Sequence, residues 1–258
     1  MLKPNDLILL YHSENAKYLL TLPEKGELQT HKGIIKIENI FQKDFGDEIE
    51  THKGEKFYIL KPTIADLEMK VKRTTTIIYP KDAGLILLKT NIFPGAFVAE
   101  VGTGSGAFTI VLANFVRPYG KVFTYEVRED FLNNAKENIK KAGLEENVVF
   151  YLRDVVRDGF LQEDNSMDAV YIDLPEPWEV VKEAHRILKG GHALISLSPN
   201  VEQIQKTFRA MELVGFVRIK VYEIFEREIL VRYSGTRPKE FSITHTAYLL
   251  FAYKINKR

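Results

Sequence analysis

Phe97-Val98-Ala99-Glu100-Val101-Gly102-Thr103-Gly104-Ser105-Gly106 carries the most structural information in this 258-residue chain. A short apolar run passes without a spacer into a Gly-x-Gly-x-Gly turn, and Ala107 to Leu112 then reads as the start of a helix. Glycines at this spacing make a tight strand-to-helix turn and remove side chains where a ligand would approach the helix N-terminus. Beyond the turn the pattern repeats. Strands are expected at about 121–126, 147–152, 167–173 and 191–197, with helices at about 106–116, 129–142, 178–188 and 201–213. In the helix from 129, Phe131, Leu132, Ala135, Ile139 and Ala142 recur at helical spacing and Gly143 ends it. Alternation of this kind implies a parallel sheet, an α/β fold of Rossmann-like type. Two more strands, about 216–224 and 246–254, flank a loop around Gly235 and Pro238.

Upstream of the turn, Pro80 suits the first turn of a helix over about 80–91, and Asp82 complements its positive end. The first 68 residues read differently. Short apolar runs (Leu7 to Tyr11, Tyr18 to Thr21, Ile34 to Ile37, Phe57 to Leu60) are parted by Gly26, Gly33, Gly46 and Gly54, which predicts a small, barrel-like β domain over 1–68 ahead of a domain over 69–258.

Composition narrows the function. With no cysteine, there are no disulfides, thiolate nucleophiles or zinc–thiolate sites, and the six histidines (12, 31, 52, 185, 192, 245) are scattered. No metal site is expected. No apolar run reaches the roughly 18 residues that span a bilayer, and the N-terminus lacks the pattern of a secretory signal, so no membrane association and a cytoplasmic location are expected. The net charge of +1 hides an asymmetry: residues 1–68 hold nine Lys against twelve Asp/Glu, whereas residues 215–258 hold nine Lys/Arg against four Glu. Phosphate contacts are therefore expected from the C-terminal half, with Lys70, Lys72, Arg73, Arg227, Arg232, Arg237 and Lys239 as candidates. A solvated surface is the plainer account of any one of them.

Three acids accompany the turn. Glu126 ends the next strand, where a carboxylate can accept from ribose hydroxyls; Asp154 follows the strand after that, where one can meet an adenine amino group. Glu100 precedes the glycines. A carboxylate there would repel a pyrophosphate and suits the ammonium and sulfonium charges of S-adenosylmethionine, which favours that cofactor over a dinucleotide. The set expected to hold it is Glu100, Gly102, Thr103, Gly104, Ser105, Gly106, Glu126, Asp154 and Asp173.

The fourth strand runs into Asp173-Leu174-Pro175-Glu176-Pro177-Trp178, placing Asp173 at the sheet edge where ligands sit. An adenine N1 becomes cationic when methylated, and a carboxylate bonded to the neighbouring amino group stabilises that charge as it develops. The plainer account is that Asp173 caps a turn.

At this point the chain resembles the TrmI-type tRNA (adenine-N1)-methyltransferases. The resemblance rests on Ile78-Tyr79-Pro80-Lys81-Asp82, Glu100 to Gly106, Tyr125-Glu126-Val127-Arg128, Asp173 to Pro177, Asn200-Val201-Glu202-Gln203, and Arg237-Pro238 with His245-Thr246-Ala247-Tyr248. It implies Asp173 as the catalytic carboxylate and Tyr79 as a pocket wall beside the cofactor methyl or the target base. It also implies a small N-terminal β domain, S-adenosylhomocysteine as product, and a homotetramer acting on the T-loop adenine of tRNA at position 58, with 57 as well in archaea. Thr76 stands where some relatives carry Gln, and Ala247 where some carry Gly, which leaves the choice of adenine open. Competing readings are a methyltransferase on a small molecule or protein, of precorrin or isoaspartyl type, and a non-catalytic tRNA-binding subunit. The latter is disfavoured by the intact turn and acid. His245, Tyr248 and Trp178 read as packing residues.

Overall fold

Seven strands form the principal sheet because the chain supplies short runs of β-branched and aromatic residues that only burial on both faces can accommodate. In the computed structural model, which describes residues 1–256, the chain divides into two compact units, Met1–Lys70 and Val71–Arg258.

The N-terminal unit contains β1 (Leu7–Ser13), β2 (Ala16–Thr21), β3 (Glu27–Thr30), β4 (Gly33–Lys36), α1 (Ile37–Ile40), β5 (Glu48–Glu50), β6 (Lys56–Leu60) and α2 (Ile64–Met69). Its strands pair antiparallel as β2-β1-β6-β5, with β3-β4 as a separate ribbon. This is an open sheet: among the described residues no pairing closes it into a barrel. Leu10, Leu22, Ile35, Ile40, Phe57 and Ile59 fill its core. The run Ile34 to Ile37 splits, with Ile37 turning from strand into the first residue of α1. Thr63 and Asp66 form a reciprocal capping box that starts α2.

The C-terminal unit begins with α3 (Pro80–Thr90), then β7 (Phe97–Val101), α4 (Ala107–Val116), β8 (Lys121–Glu126), α5 (Glu129–Lys141), β9 (Val148–Leu152), α6 (Val155–Asp158), β10 (Met167–Ile172), α7 (Val181–Ile187), β11 (Leu188–Ser198), α8 (Val201–Val214), β12 (Phe216–Tyr222), β13 (Ile229–Arg232), β14 (Gly235–Pro238) and β15 (Tyr248–Lys254). The sheet order is β12-β15-β11-β10-β7-β8-β9. From β11 to β9 every pairing is parallel, and β15 runs antiparallel between β11 and β12. All six residues of β10 are buried, as a strand covered on both faces requires. Glu129 and Asp130 open α5 and Lys140 and Lys141 close it, matching the helix dipole at both ends. The expected helix over 178–188 is shorter: a single 3-10 turn at Pro177–Glu179 precedes α7.

The expected loop around Gly235 and Pro238 is a hairpin. Ile229 to Arg232 is β-prone, and Pro238 pairs with Ile229 at the open end, where a strand tolerates a residue without an N–H. Because β7 lies between β8 on one side and β10 on the other, the chain reverses its direction of travel across the sheet there. A crevice opens at the carboxyl ends of strands at such a switch point.

Candidate functional site

The two strands bordering the switch point bring Gly102 and Asp173 together. Asp173 N–H donates to the Val101 carbonyl at 2.9 Å, and a Cβ built on Gly102 would lie 2.1 Å from the Asp173 carbonyl oxygen. With φ at +93° as well, position 102 admits only glycine. Turn and acid are therefore pressed against one another.

The turn is braced from within. The N–H groups of Gly102 and Thr103 donate to the Tyr125 carbonyl, Gly106 N–H donates to the Thr103 carbonyl, and Gly104 N–H donates to Glu126 Oε2 at 3.0 Å. Four N–H groups expected to face a ligand are thus used by the fold. Thr103 and Thr124 share a hydroxyl–hydroxyl bond of 2.6 Å beneath the turn. Ser105 Oγ accepts from the backbone of Thr74 and Thr75, a contact between segments 30 residues apart that no local pattern announces.

Glu126, at the end of β8, accepts three backbone bonds: Gly104 on Oε2, and Val127 and Arg128 on Oε1 at 2.9 and 3.1 Å. A carboxylate has about four acceptor directions, so Glu126 keeps one. Asp154, after β9, caps α6 through Oδ1, which accepts from Val156 and Arg157 N–H at 3.0 and 3.3 Å. Both bonds use Oδ1, leaving Oδ2 for another partner.

Glu100 lies deeper than its place before the glycines suggested. It is 1% exposed, and Thr109 Oγ1 donates to its Oε2 at 2.6 Å. Burial pushes its carboxyl up to about 7, opposed by the Thr109 and Thr124 hydroxyls and reinforced by Asp173 and Glu126. Asp173 keeps a partly exposed edge, yet desolvation raises its carboxyl to about 6, against the stabilising bond from the Tyr171 hydroxyl. The two acids are electrostatically linked across the β7–β10 pairing, in which Tyr171 stands opposite Glu100.

Tyr79 is half-buried and extended (φ −104°, ψ 152°) immediately before Pro80, the first residue of α3. Asp82 does more than complement that helix end. It is 1% exposed, bonds Lys81 Nζ at 2.9 and 3.1 Å, and accepts from Thr246 Oγ1 at 2.7 Å. His245 bonds Glu223 Oε1 at 2.7 Å and the Pro199 carbonyl at 2.9 Å, and these two partners raise its pKa. The segment His245 to Tyr248 is thereby a lock between elements. Asn200 caps α8 by accepting from Gln203 N–H, while Gln203 Nε2 holds the Pro175 carbonyl at 2.8 Å, fixing the loop that follows Asp173. Lys206 covers the Trp178 ring at 4.4 Å. Of the candidate phosphate contacts, Lys239 pairs with Glu228 and Arg237 with Glu240 in exposed ion pairs of little energetic weight.

Reading across β10, β7, β8 and β9, the edge presents Asp173, the glycine turn, Glu126 and Asp154 in that order. Neighbouring strands are about 4.8 Å apart, so the row spans about 15 Å. It suits an elongated ligand that carries positive charge and hydroxyls. A pyrophosphate needs unpaired N–H groups and meets carboxylates instead. Fold and site together define a Rossmann-like, S-adenosylmethionine-dependent methyltransferase.

Comparison with known proteins narrows the class. The model of the GCD14 family, described as the tRNA methyltransferase complex GCD14 subunit, matches residues 56–241. The chain belongs to this family. The tRNA (adenine(57)-N(1)/adenine(58)-N(1))-methyltransferase TrmI of Methanocaldococcus jannaschii is 35% identical over 267 residues, covering 95% of this chain and 93% of its own. Among solved structures, a SAM-dependent O-methyltransferase from Thermotoga maritima matches with a TM-score of 0.91 and 38% identity over 100% of this chain and 96% of its own. The tRNA (m1A58) methyltransferase TrmI from Aquifex aeolicus matches with a TM-score of 0.85 and 32% identity, covering 99% of each chain. Among the described residues no helix is long and apolar enough to cross a membrane.

Proposed function

We propose that this protein transfers the methyl group of S-adenosylmethionine to N1 of the T-loop adenine at position 58 of tRNA, and that Asp173 is its catalytic carboxylate. The observation that carries the reading is the desolvated Asp173 carboxyl, raised to about 6, held against the glycine turn at the switch point. Above that pH it is chiefly ionised and in the state needed to accept a hydrogen bond.

Bound S-adenosylmethionine supplies an activated methyl group. Adenine N1 contributes its lone pair to the new N–C bond, and the pair from the broken S–C bond stays on sulfur, giving S-adenosylhomocysteine. The chain's part is orientation and charge. Asp173 accepts from the exocyclic N6 amino group, offsetting the positive charge that N1 acquires. The Tyr171 hydroxyl opposes the effect of burial on that carboxyl and so favours its ionised form. Glu126 offers its one remaining acceptor direction to ribose hydroxyls, Asp154 offers Oδ2 to the adenine amino group of the cofactor, and Tyr79 lines the pocket for the target base. A T-loop base is stacked within the folded tRNA, so it must be swung outward to be reached.

Labelled S-adenosylmethionine incubated with protein and unmodified tRNA, followed by digestion to nucleosides, should give N1-methyladenosine; intact protein giving none rejects the proposal. An oxygen acceptor is the second reading, favoured by the name of the Thermotoga maritima relative. The same digest separates the two, because 2′-O-methylation would appear as a ribose-methylated nucleoside. Mapping by primer extension distinguishes position 58 from 57. A homotetramer in the cytoplasm accompanies the proposal; sedimentation equilibrium should return four times the 29.7 kDa chain mass.

A further inference from the structure

The segment from Lys72 to Tyr79 lies in no helix or strand, so its backbone groups need partners elsewhere. They find them on the glycine turn and on α5. Lys72 N–H donates to Asn138 Oδ1 at 3.0 Å, and the Lys72 carbonyl accepts from Asn138 Nδ2 at 3.1 Å and Asn134 Nδ2 at 2.8 Å. Asn138 Nδ2 also donates to the Ser105 carbonyl at 2.9 Å. One amide thus grips strap and turn at once.

Ser105 completes the attachment from the other side. Its Oγ accepts from Thr74 and Thr75 N–H at 2.9 and 3.1 Å. With both lone pairs occupied, its own proton goes to a threonine hydroxyl, and Thr75 Oγ1 at 3.0 Å is nearer than Thr74 Oγ1 at 3.3 Å. A Cβ on Gly104 would lie 2.9 Å from Thr75 Oγ1, so the strap rests directly on the turn. Asn134 and Asn138 stand four residues apart on α5 and are 7% and 4% exposed. Two buried amides on the inward face of a helix cost desolvation unless their bonds are made; here both Nδ2 groups donate to the strap, and Asn138 also to the turn, while Asn134 Oδ1 has no hydrogen-bond partner among the described residues.

We propose that Asn138, assisted by Asn134 and Ser105, is a positioning residue that clamps the strap onto the turn, so that the cofactor loop and the Tyr79 at the strap's end are set as one body. Cofactor binding and shaping of the base pocket then become a single ordering event. This rests on the reading of the turn as the cofactor site and of Tyr79 as a pocket wall. The clamp acts on the reaction through the strap and touches no reacting atom.

Hydrogen exchange followed by mass spectrometry, with and without S-adenosylhomocysteine, tests it on the full chain. In the wild type the amides of Lys72, Thr74 and Thr75 should slow by about tenfold or more when the nucleoside binds. In Asn138→Ala they should exchange about tenfold faster and lose that response. The turnover number should fall roughly 10- to 100-fold while S-adenosylhomocysteine affinity stays within about threefold, a split that general destabilisation does not produce. Ser105→Ala, which leaves α5 untouched, should reproduce the pattern and serves if Asn138→Ala does not fold. The double variant should lose no more than the worse single one, since both act on one strap. Unchanged exchange in the strap, turnover within about twofold of wild type, or equal loss of turnover and affinity overturns the clamp. A wild type that binds the nucleoside and protects the strap yet makes no N1-methyladenosine removes the tRNA reading and leaves the clamp standing.

Discussion

Replacing Glu100 by Gln should stabilise the ligand-free protein in mild alkali and do almost nothing in acid. Glu100 is 1% exposed, and burial raises its carboxyl from 4.5 to about 7. The sign follows from proton linkage. Below the unfolded value the group is neutral in both states and contributes nothing. As the pH rises toward the folded value, the unfolded chain releases a proton that the folded chain keeps, and stability falls. Above the folded value the full cost of a buried charge is present. A shift of roughly 2.5 pH units at about 1.4 kcal/mol each gives about 3.5 kcal/mol as an upper bound. Gln keeps an acceptor for Thr109 and removes the charge. Relative to wild type, Glu100→Gln should therefore gain up to about 3 kcal/mol near pH 8 and less than about 1 kcal/mol near pH 5. Urea titrations followed by the fluorescence of the single tryptophan, Trp178, measure this in the C-terminal unit, where Trp178 and Glu100 both lie. A stability difference equal at both pH values refutes the assignment of Glu100 as a buried, late-titrating acid.

Other outcomes test the same site. Asp173→Asn should reduce turnover roughly 100- to 1000-fold in a methyl-transfer assay while affinity for S-adenosylhomocysteine, which carries no sulfonium charge, changes by less than about threefold; an equal fall in both would make Asp173 a structural residue. A cation brought beside Glu100 and Asp173 lowers both pKa values, so S-adenosylmethionine binding should release protons and tighten as pH rises from about 5 to about 8. Calorimetry in two buffers of different ionisation enthalpy measures this, and buffer-independent heats would contradict it. Lys81→Met leaves Asp82 buried with only Thr246 beside it and should cost about 3 kcal/mol, a fall in melting temperature of roughly 6 to 12 °C. Adding Asp82→Leu to that variant should recover most of the loss.

The principal sheet was legible because its signals are local. Strand, turn and helix follow one another over Phe97 to Val116, and Gly143 ends α5 with φ at +67°, so each boundary is written within a few residues. The placing of the acids at strand ends was legible for the same reason, since Glu126 closes β8 and Asp154 and Asp173 follow β9 and β10; their order along the edge was not, because it depends on β10 pairing with β7. What pairing across the fold decides was not legible. Thr246 meets Asp82 from 164 residues away, and no period or motif links them. Asn134 and Asn138 lie among the apolar residues of α5, and two amides at a four-residue spacing on an inward face are the one local signal of the strap that the sequence carries. Ile229 to Pro238 read as a loop because Gly235 and Pro238 interrupt the pattern, whereas hairpin pairing tolerates both at its ends.

The depth of Glu100 changes how the glycine turn discriminates between cofactors. From sequence, this acid was to repel pyrophosphate by facing the ligand. In the fold it lies beneath the turn, bonded to Thr109, and another feature performs the selection. Gly102, Thr103, Gly104 and Gly106 all spend their N–H groups on backbone or Glu126 acceptors, so the nest of free donors that a pyrophosphate requires is absent from those four positions. The turn gives up phosphate recognition to stay rigid, and Glu126 supplies part of that rigidity through Gly104. On the proposed reading, Glu126 then offers one acceptor direction to a sugar, Asp154 one oxygen to a base, and Asp173 a desolvated carboxyl at the opposite end of the row. Glu126 and Asp154 each first secure their own loop and leave only the remaining acceptor positions open. Removing Glu126 should consequently loosen the turn as well as weaken ribose binding, a double cost that separates it from Asp173, whose proposed role is in the transfer step.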